Sequence, residues 1–285
     1  MDAPGGGKFR RVPELPEVQT VVNTLSPRLV GGTFRRVAHV RGDIVEPTGF
    51  GLAMALTGRT VSAITRRGKR IVITLDDGNA FYVHLGMTGR LTIEKANAPV
   101  PLHTHFIADL ATGAAQLRFC DPRRFGGLFW LGRDATDDRM GPEPLSMTPS
   151  DLAAKLSRTK RAIKNALMDQ SVVAGLGNIY VDESLFAAGI HPQKRADRLT
   201  SDDVARLSRA IKVTLKRAIR HRGSSLRDYV DADGERGGFQ NLHRVYAREG
   251  DPCATCGTPI RRIVLGGRST HWCPKCQSRS GKRRP

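Results

Sequence analysis

Pro13-Glu14-Leu15-Pro16-Glu17-Val18-Gln19-Thr20-Val21-Val22 is the stretch from which the rest of the chain reads outward. Leu15, Val18, Val21, Val22, Leu25 and Leu29 recur at helical spacing and predict an amphipathic helix over residues 15–30. Glu14 and Glu17 lie within one turn at its start. Carboxylates there are favoured by the helix dipole, which is the ordinary reading of such a pair.

Downstream of that helix the pattern shortens. Arg59–Thr65, Ile71–Leu75, Ala80–Leu85, Arg90–Glu94, Gln116–Phe119 and Gly127–Leu131 read as strands separated by Gly-rich and Asp-Gly turns, which suits an antiparallel sandwich or barrel. Gly141-Pro142-Glu143-Pro144-Leu145, with Pro149 close behind, marks a linker at 143–150. Helical patterning follows to about residue 222, and Thr200 with Asp203 makes a capping-box start for a long helix over 201–221. Residues 223–247 are Gly-rich and irregular. The last residues, 280–285, form a basic tail.

The 285 residues are enough for roughly two domains with a sizeable core. Lys and Arg exceed Asp and Glu by 46 to 27, a net charge of +19 that points to a polyanion, most often nucleic acid. No apolar run is long enough to cross a membrane, and the first twelve residues have no apolar centre of a secretory signal.

Four of the five cysteines fall in two pairs, Cys253-x-x-Cys256 and Cys273-x-x-Cys276, with sixteen residues between them. That spacing matches a Cys₄ zinc ribbon holding one structural Zn²⁺ in a reducing compartment. All four positions are filled, so no place is left for a catalytic water. From residue 249 to 285 there are eight Lys/Arg against two Asp/Glu, which predicts a DNA-backbone contact for the module. Cys120 reads as a core residue. Gly175-Leu176-Gly177-Asn178 lies between helical segments 161–169 and 178–188; alone it is an ordinary helix turn, with Asn178 expected to cap the second helix.

These motifs taken together resemble the formamidopyrimidine-DNA glycosylases (the Fpg/MutM family) through nearly all of residues 13–277. The resemblance is carried by Pro13–Val18, His84-Leu85-Gly86-Met87-Thr88-Gly89, Asp121-Pro122-Arg123-Arg124-Phe125-Gly126, Val173–Tyr180 with Asp182–Pro192, and the cysteine module. It implies an α+β multidomain fold: a β-sandwich with a leading helix (13–142), a helix–two-turn–helix DNA-binding domain with a lesion-capping loop (151–248), and a zinc finger (249–279). It implies a bifunctional DNA glycosylase and abasic-site lyase of base excision repair. Such an enzyme removes 8-oxoguanine and formamidopyrimidines from duplex DNA through an N-terminal proline Schiff base and β,δ-elimination.

Carried over residue by residue, Pro13 is the nucleophile, Glu14 the catalytic carboxylate and Glu17 its support. Lys69 and Arg268 grip the phosphate at the lesion, with Asn178 as a third phosphate ligand. Met87 and Phe125 wedge into the base stack, Arg123 meets the orphaned base, and Lys160 approaches the lesion. His103 and His105 read as structural. The implied setting is a bacterial cytoplasm, with damaged double-stranded DNA as partner, a monomeric chain, no membrane and no nucleotide cofactor. Two alternatives remain: an endonuclease VIII-like enzyme acting on oxidised pyrimidines, and a damage-binding protein without turnover.

The second alternative arises because twelve residues precede Pro13, and an internal proline nitrogen is an amide rather than an amine. An α-amino group titrates near pH 8 and is partly neutral and nucleophilic at physiological pH. A valine codon, GUG, can start bacterial translation, and methionine before proline is trimmed. Gly5-Gly6-Gly7-Lys8 is encoded by purine-rich codons that would suit a ribosome-binding site. The expectation is a mature chain that begins at Pro13, and an N-terminal sequence of Met-Asp-Ala from the native host would contradict it.

Overall fold

A computed structural model describes residues 12–111, 114–133, 139–226 and 229–278. The leader and the basic tail expected from the sequence lie outside these residues, apart from Val12. Helix α1 (Leu15–Leu29) is followed by strands β1 (Phe34–Val40) and β2 (Val45–Glu46), a short α2 (Leu52–Leu56), and seven further strands. These are β3 (Val61–Arg67), β4 (Arg70–Leu75), β5 (Asn79–His84), β6 (Arg90–Lys95), β7 (Thr104–Leu110), β8 (Ala115–Cys120) and β9 (Gly127–Arg133).

They form two sheets, one ordered β1-β7-β8-β6 and antiparallel, the other ordered β2-β9-β5-β4-β3 and antiparallel except for the β2–β9 pair. Phe34, Ile71, Phe81, Phe106, Leu117 and Phe119 fill the space between them, as alternating inward positions of a β-sandwich do. Strands β1 and β7 lie outside the segments predicted from alternation. Register shifts between Phe34 and Arg36, between Val37 and His39, and between Thr104 and Phe106 break the two-residue period in both. Cys120, expected in the core, lies half-exposed at the end of β8 with its Sγ against the Leu102 carbonyl at 3.4 Å.

The helical half contains α3 (Pro149–Leu156), α4 (Ile163–Met168), α5 (Asn178–Ala188) and α6 (Ser201–Arg220). Thr200 and Asp203 make the reciprocal hydrogen bonds of a capping box at the start of α6. Its Val204, Leu207, Ile211, Leu215 and Ala218 form the buried stripe. Helix α1 joins the halves: Val18, Val21, Val22 and Leu25 pack in the sandwich core, whereas Leu15 packs in the helical core. Truncating Leu15 to alanine would cost about 2–5 kcal/mol at such a site.

A hairpin of β10 (Arg261–Leu265) and β11 (Arg268–Trp272) carries the cysteine module and packs on α5. The buried Lys164 ammonium bonds Asp182 Oδ1 and the Ser269 carbonyl, both at 2.6 Å, and the other Asp182 oxygen accepts the His271 N–H at 2.9 Å. One carboxylate therefore bolts α4 and the hairpin to α5. Losing either member of this ion pair would strand the other charge in the interior.

Candidate active site

Glu14 and Glu17 are 4% and 2% exposed, so the pair at the start of α1 is interior rather than a solvated helix end. Glu14 reaches across to α5, where Oε1 accepts the Ile179 N–H at 2.9 Å and Oε2 the Tyr180 N–H at 3.3 Å. These are orphan donors of the first turn, and the dipole there favours an anion. The cap of α5 thus comes from Glu14 and not, as the local sequence suggested, from Asn178. The N-cap position is Gly177, and Asn178 is the first helical residue. A Cβ on Gly177 would meet the Glu14 carboxyl at 2.4–2.7 Å, so this approach requires glycine. Despite these donors and Lys69 nearby, burial raises the Glu14 carboxyl above its usual range.

Glu17 turns the other way. Its carboxylate accepts the Glu14 N–H at 2.9 Å, the Tyr180 hydroxyl at 2.5 Å and the Ser224 N–H at 2.7 Å. Burial, and then the neighbouring Glu14 charge, push its pKa up to about 7. Gly223, at φ +73°, carries no side chain, and a Cβ there would stand 2.7 Å from Glu17 Oε1. The start of the 223–247 segment is consequently fastened to α1. Its far end is fastened to α5, because the Glu183 carboxylate accepts the N–H groups of Arg244, Val245 and Tyr246 at 2.9–3.0 Å.

The cationic run Arg66-Arg67-Gly68-Lys69-Arg70, which spans the end of β3, the turn and the start of β4, divides in two. Arg66 and Arg67 are used inside the protein, holding Glu143 at 2.6 and 3.1 Å together with main-chain carbonyls. Gln19 accepts a further bond from Arg66 at 2.9 Å. Lys69 faces the carboxylates instead. Burial lowers its pKa, the charges of Glu14 and Glu17 hold it up, and Arg268 from β11 lowers it again. Lys69 and Arg268 therefore share one electrostatic neighbourhood although 199 residues separate them.

Among the described residues, two buried polar atoms near this centre have no protein partner, His84 Nδ1 and Asn178 Oδ1. Asn178 Nδ2 bonds Ser269 Oγ at 3.2 Å. His84 feels the charges of Lys69 and Arg70, and burial lowers its pKa. His84 begins the loop that contains Met87, and its role here has no local signal in the sequence.

The wedge residues occupy two loops tied by one side chain. Asp121 accepts the N–H groups of Arg123, Phe125 and Gly126 at 3.2, 2.9 and 2.8 Å, and also the Thr88 hydroxyl from the Met87 loop. Phe125 is 52% exposed, with the Arg123 guanidinium 4.9 Å above its ring, while Met87 is half-buried. An exposed Phe held on a rigid turn is not a core residue. His105 is structural, meeting the Asp121 carbonyl at 3.0 Å. Lys160 stands exposed before α4, and the buried lysine of that stretch is Lys164.

The four cysteine sulfurs lie within 4.8 Å of one another, with Cys253–Cys276 at 3.9 Å and Cys256–Cys273 at 3.4 Å. A tetrahedron with Zn–S bonds of about 2.3 Å places its sulfurs about 3.8 Å apart. Main-chain N–H groups of Thr255 and Cys276 point at Cys253 and Cys273 Sγ, each at 3.4 Å, as they would toward metal-bound thiolates. The donor set fits one structural zinc.

The chain matches the formamidopyrimidine-DNA glycosylase N-terminal domain over residues 12–128 and the H2TH domain of the same proteins over 140–230. The zinc finger found in FPG and IleRS matches over 250–279. The formamidopyrimidine-DNA glycosylase of Gluconobacter oxydans is 45% identical over 278 residues, covering 93% of this chain and 100% of that one. This chain belongs to the formamidopyrimidine-DNA glycosylase family. The Geobacillus kaustophilus glycosylase is 43% identical, with the same coverage. Among solved structures, Lactococcus lactis Fpg bound to DNA containing an abasic site superposes with a TM-score of 0.86 at 36% identity, over 93% of this chain and 100% of that one. Thermus thermophilus MutM (Fpg) gives 0.82 at 41% identity, over 93% and 98%. Membership makes the chain a DNA glycosylase of base excision repair. Among the described residues no helix is long and apolar enough to cross a membrane.

Proposed function

We propose that this family member excises oxidised purines, 8-oxoguanine and formamidopyrimidines, from double-stranded DNA and then cuts the abasic strand. The observation that carries the reading is the convergence of Pro13-Glu14, Lys69 and Arg268 at the start of α5. An extruded nucleotide would offer its phosphate to Lys69, Arg268 and Asn178, with the partnerless His84 nitrogen beside them. If the Asn178 amide turns over, Ser269 donates to its oxygen and its NH₂ faces the phosphate.

Met87 and Phe125 would fill the vacated stack, and Arg123 would read the orphaned base. Pro13, as a free secondary amine, attacks C1′; the C1′–base bond breaks and an iminium forms. Glu14, raised by burial, moves protons during ring opening and the two eliminations that follow. The zinc module holds Arg268 in place. The amine requires a chain that starts at Pro13.

An end-labelled duplex with 8-oxoguanine opposite cytosine tests the reading. The expected product is a strand with a one-nucleoside gap bearing phosphates on both sides. Efficient release of oxidised pyrimidines with 8-oxoguanine left intact would contradict it.

A further inference from the structure

Behind the carboxylate pair runs a buried line of hydrogen-bonding groups that the proposed reaction does not use. Tyr180 Oη donates to Glu17 Oε1 at 2.5 Å and lies 3.4 Å from Ser224 Oγ, which lies 3.1 Å from His243 Nε2. All four residues are less than 9% exposed. The His243 ring is set edge-on against Phe239 and Tyr246, with centroids 5.6 and 5.5 Å away, so its nitrogen is aimed and not merely near.

Hydroxyls both donate and accept, so the line has two polarities. In one, His243 Nε2–H donates to Ser224, Ser224 to Tyr180, and Tyr180 to an ionised Glu17. In the other, a protonated Glu17 donates to Tyr180, Tyr180 to Ser224, and Ser224 to the bare Nε2 of a neutral imidazole. Passing from the first to the second with His243 cationic breaks one N–H bond and forms one O–H bond on Glu17. Each hydroxyl loses one proton and gains one. The net event is transfer of a single proton from His243 to Glu17.

We propose that His243 is a positioning residue that sets and exchanges the proton on Glu17 through Ser224 and Tyr180. The inference rests on the glycosylase reading above. Glu14 and Glu17 lie together in the interior, where two like charges repel and one proton is readily retained. DNA seated over Lys69 and Arg268 would close the direct route from water. The His243 line reaches the pair through Tyr180, along the segment anchored by Glu17 at Ser224 and by Glu183 at residues 244–246. Among the described residues, His243 meets Ser224 through Nε2, the Phe239 and Tyr246 rings at its edges and Arg248 at its carbonyl, and Ser224 and Tyr180 connect it to Glu17. The Arg248 guanidinium meets the His243 carbonyl at 3.4 Å and leaves the ring nitrogens to other partners.

His243→Gln keeps a polar amide but cannot titrate, and Ser224→Ala cuts the line in the middle while leaving the Ser224 N–H on Glu17. The test is single-turnover cleavage of an 8-oxoguanine:cytosine duplex from acid to alkaline pH, using zinc-loaded protein whose N-terminus has been verified. Both variants should bind the duplex within about twofold of the parent yet react about tenfold more slowly near neutrality. With the donor chain gone, Glu17 ionises less readily, so its limb of the pH profile should move to higher pH in both. The double variant should be no slower than either single one, because the residues act as one unit. A His243→Gln profile that superimposes on an active parent overturns the proposal alone, as does a double variant that multiplies the two losses. A parent that yields no nicked product overturns the glycosylase reading and this proposal with it.

Discussion

Glu14 closes the first turn of a helix that begins 164 residues later, its carboxylate 2.9 Å from the Ile179 N–H. A single residue thereby joins the sandwich to the helical half and stands beside the proposed nucleophile. The N-terminus of α5 offsets part of the cost of burying its charge, but not all, since its pKa remains raised.

Glu14→Gln separates these two roles. The amide oxygen can still accept from Ile179, so folding and duplex affinity should persist. Proton transfer is lost, and single-turnover strand cleavage should fall by about 10²–10⁴-fold. Parallel binding and cleavage measurements check this, and full cleavage by the variant would remove Glu14 from the chemistry.

Glu17 makes a stability prediction with a definite sign. Its carboxyl is raised from 4.5 to about 7 in the folded protein, so between those values the native state holds a proton that the unfolded chain releases. Its contribution to stability is present below the unfolded pKa and is lost as pH rises through the folded one. Relative to Glu17→Gln, the parent should lose about 3 kcal/mol between pH 4.5 and 7. Denaturant unfolding at several pH values measures the difference, and a pH-independent gap would contradict the assignment.

Arg123→Ala should leave damage binding largely intact while weakening the preference for the base opposite the lesion by about ten- to a hundredfold, as loss of a bidentate base contact does. Cleavage rates with 8-oxoguanine opposite each of the four bases provide the check. An unchanged preference would mean that Arg123 does not meet the orphaned base.

Zinc should be present at one ion per chain and lost on Cys256→Ser. Removing it should unfold the β10–β11 module and abolish tight duplex binding, because Arg268 rides on that hairpin. Metal analysis with a binding titration tests this, and undiminished affinity in metal-free protein would refute the role of the module.

Where local periodicity or spacing governs, the sequence was legible. The helix at 15–30, six of the strands, the capping box of α6 and the two cysteine pairs were all placed from short windows. Strands β1 and β7 escaped because bulges interrupt their alternation. Whether Glu17 is an ordinary helix-start residue or an interior group could not be decided from α1 alone. Its partners Tyr180 and Ser224 arrive from beyond residue 170. Likewise, nothing near Arg66 and Arg67 shows that Glu143 consumes them, and nothing near Asn178 shows that Glu14 supplies its helix cap.

If Pro13 is the nucleophile, the sugar is carried on its own nitrogen. Protein made from its native gene start region can be mixed with an 8-oxoguanine:cytosine duplex and borohydride and then weighed. A stable covalent complex whose protein part begins at Pro13 is expected. Protein that still carries Met1–Val12 and binds the damaged duplex without forming an adduct would contradict it, leaving a blocked amine and a damage-binding protein.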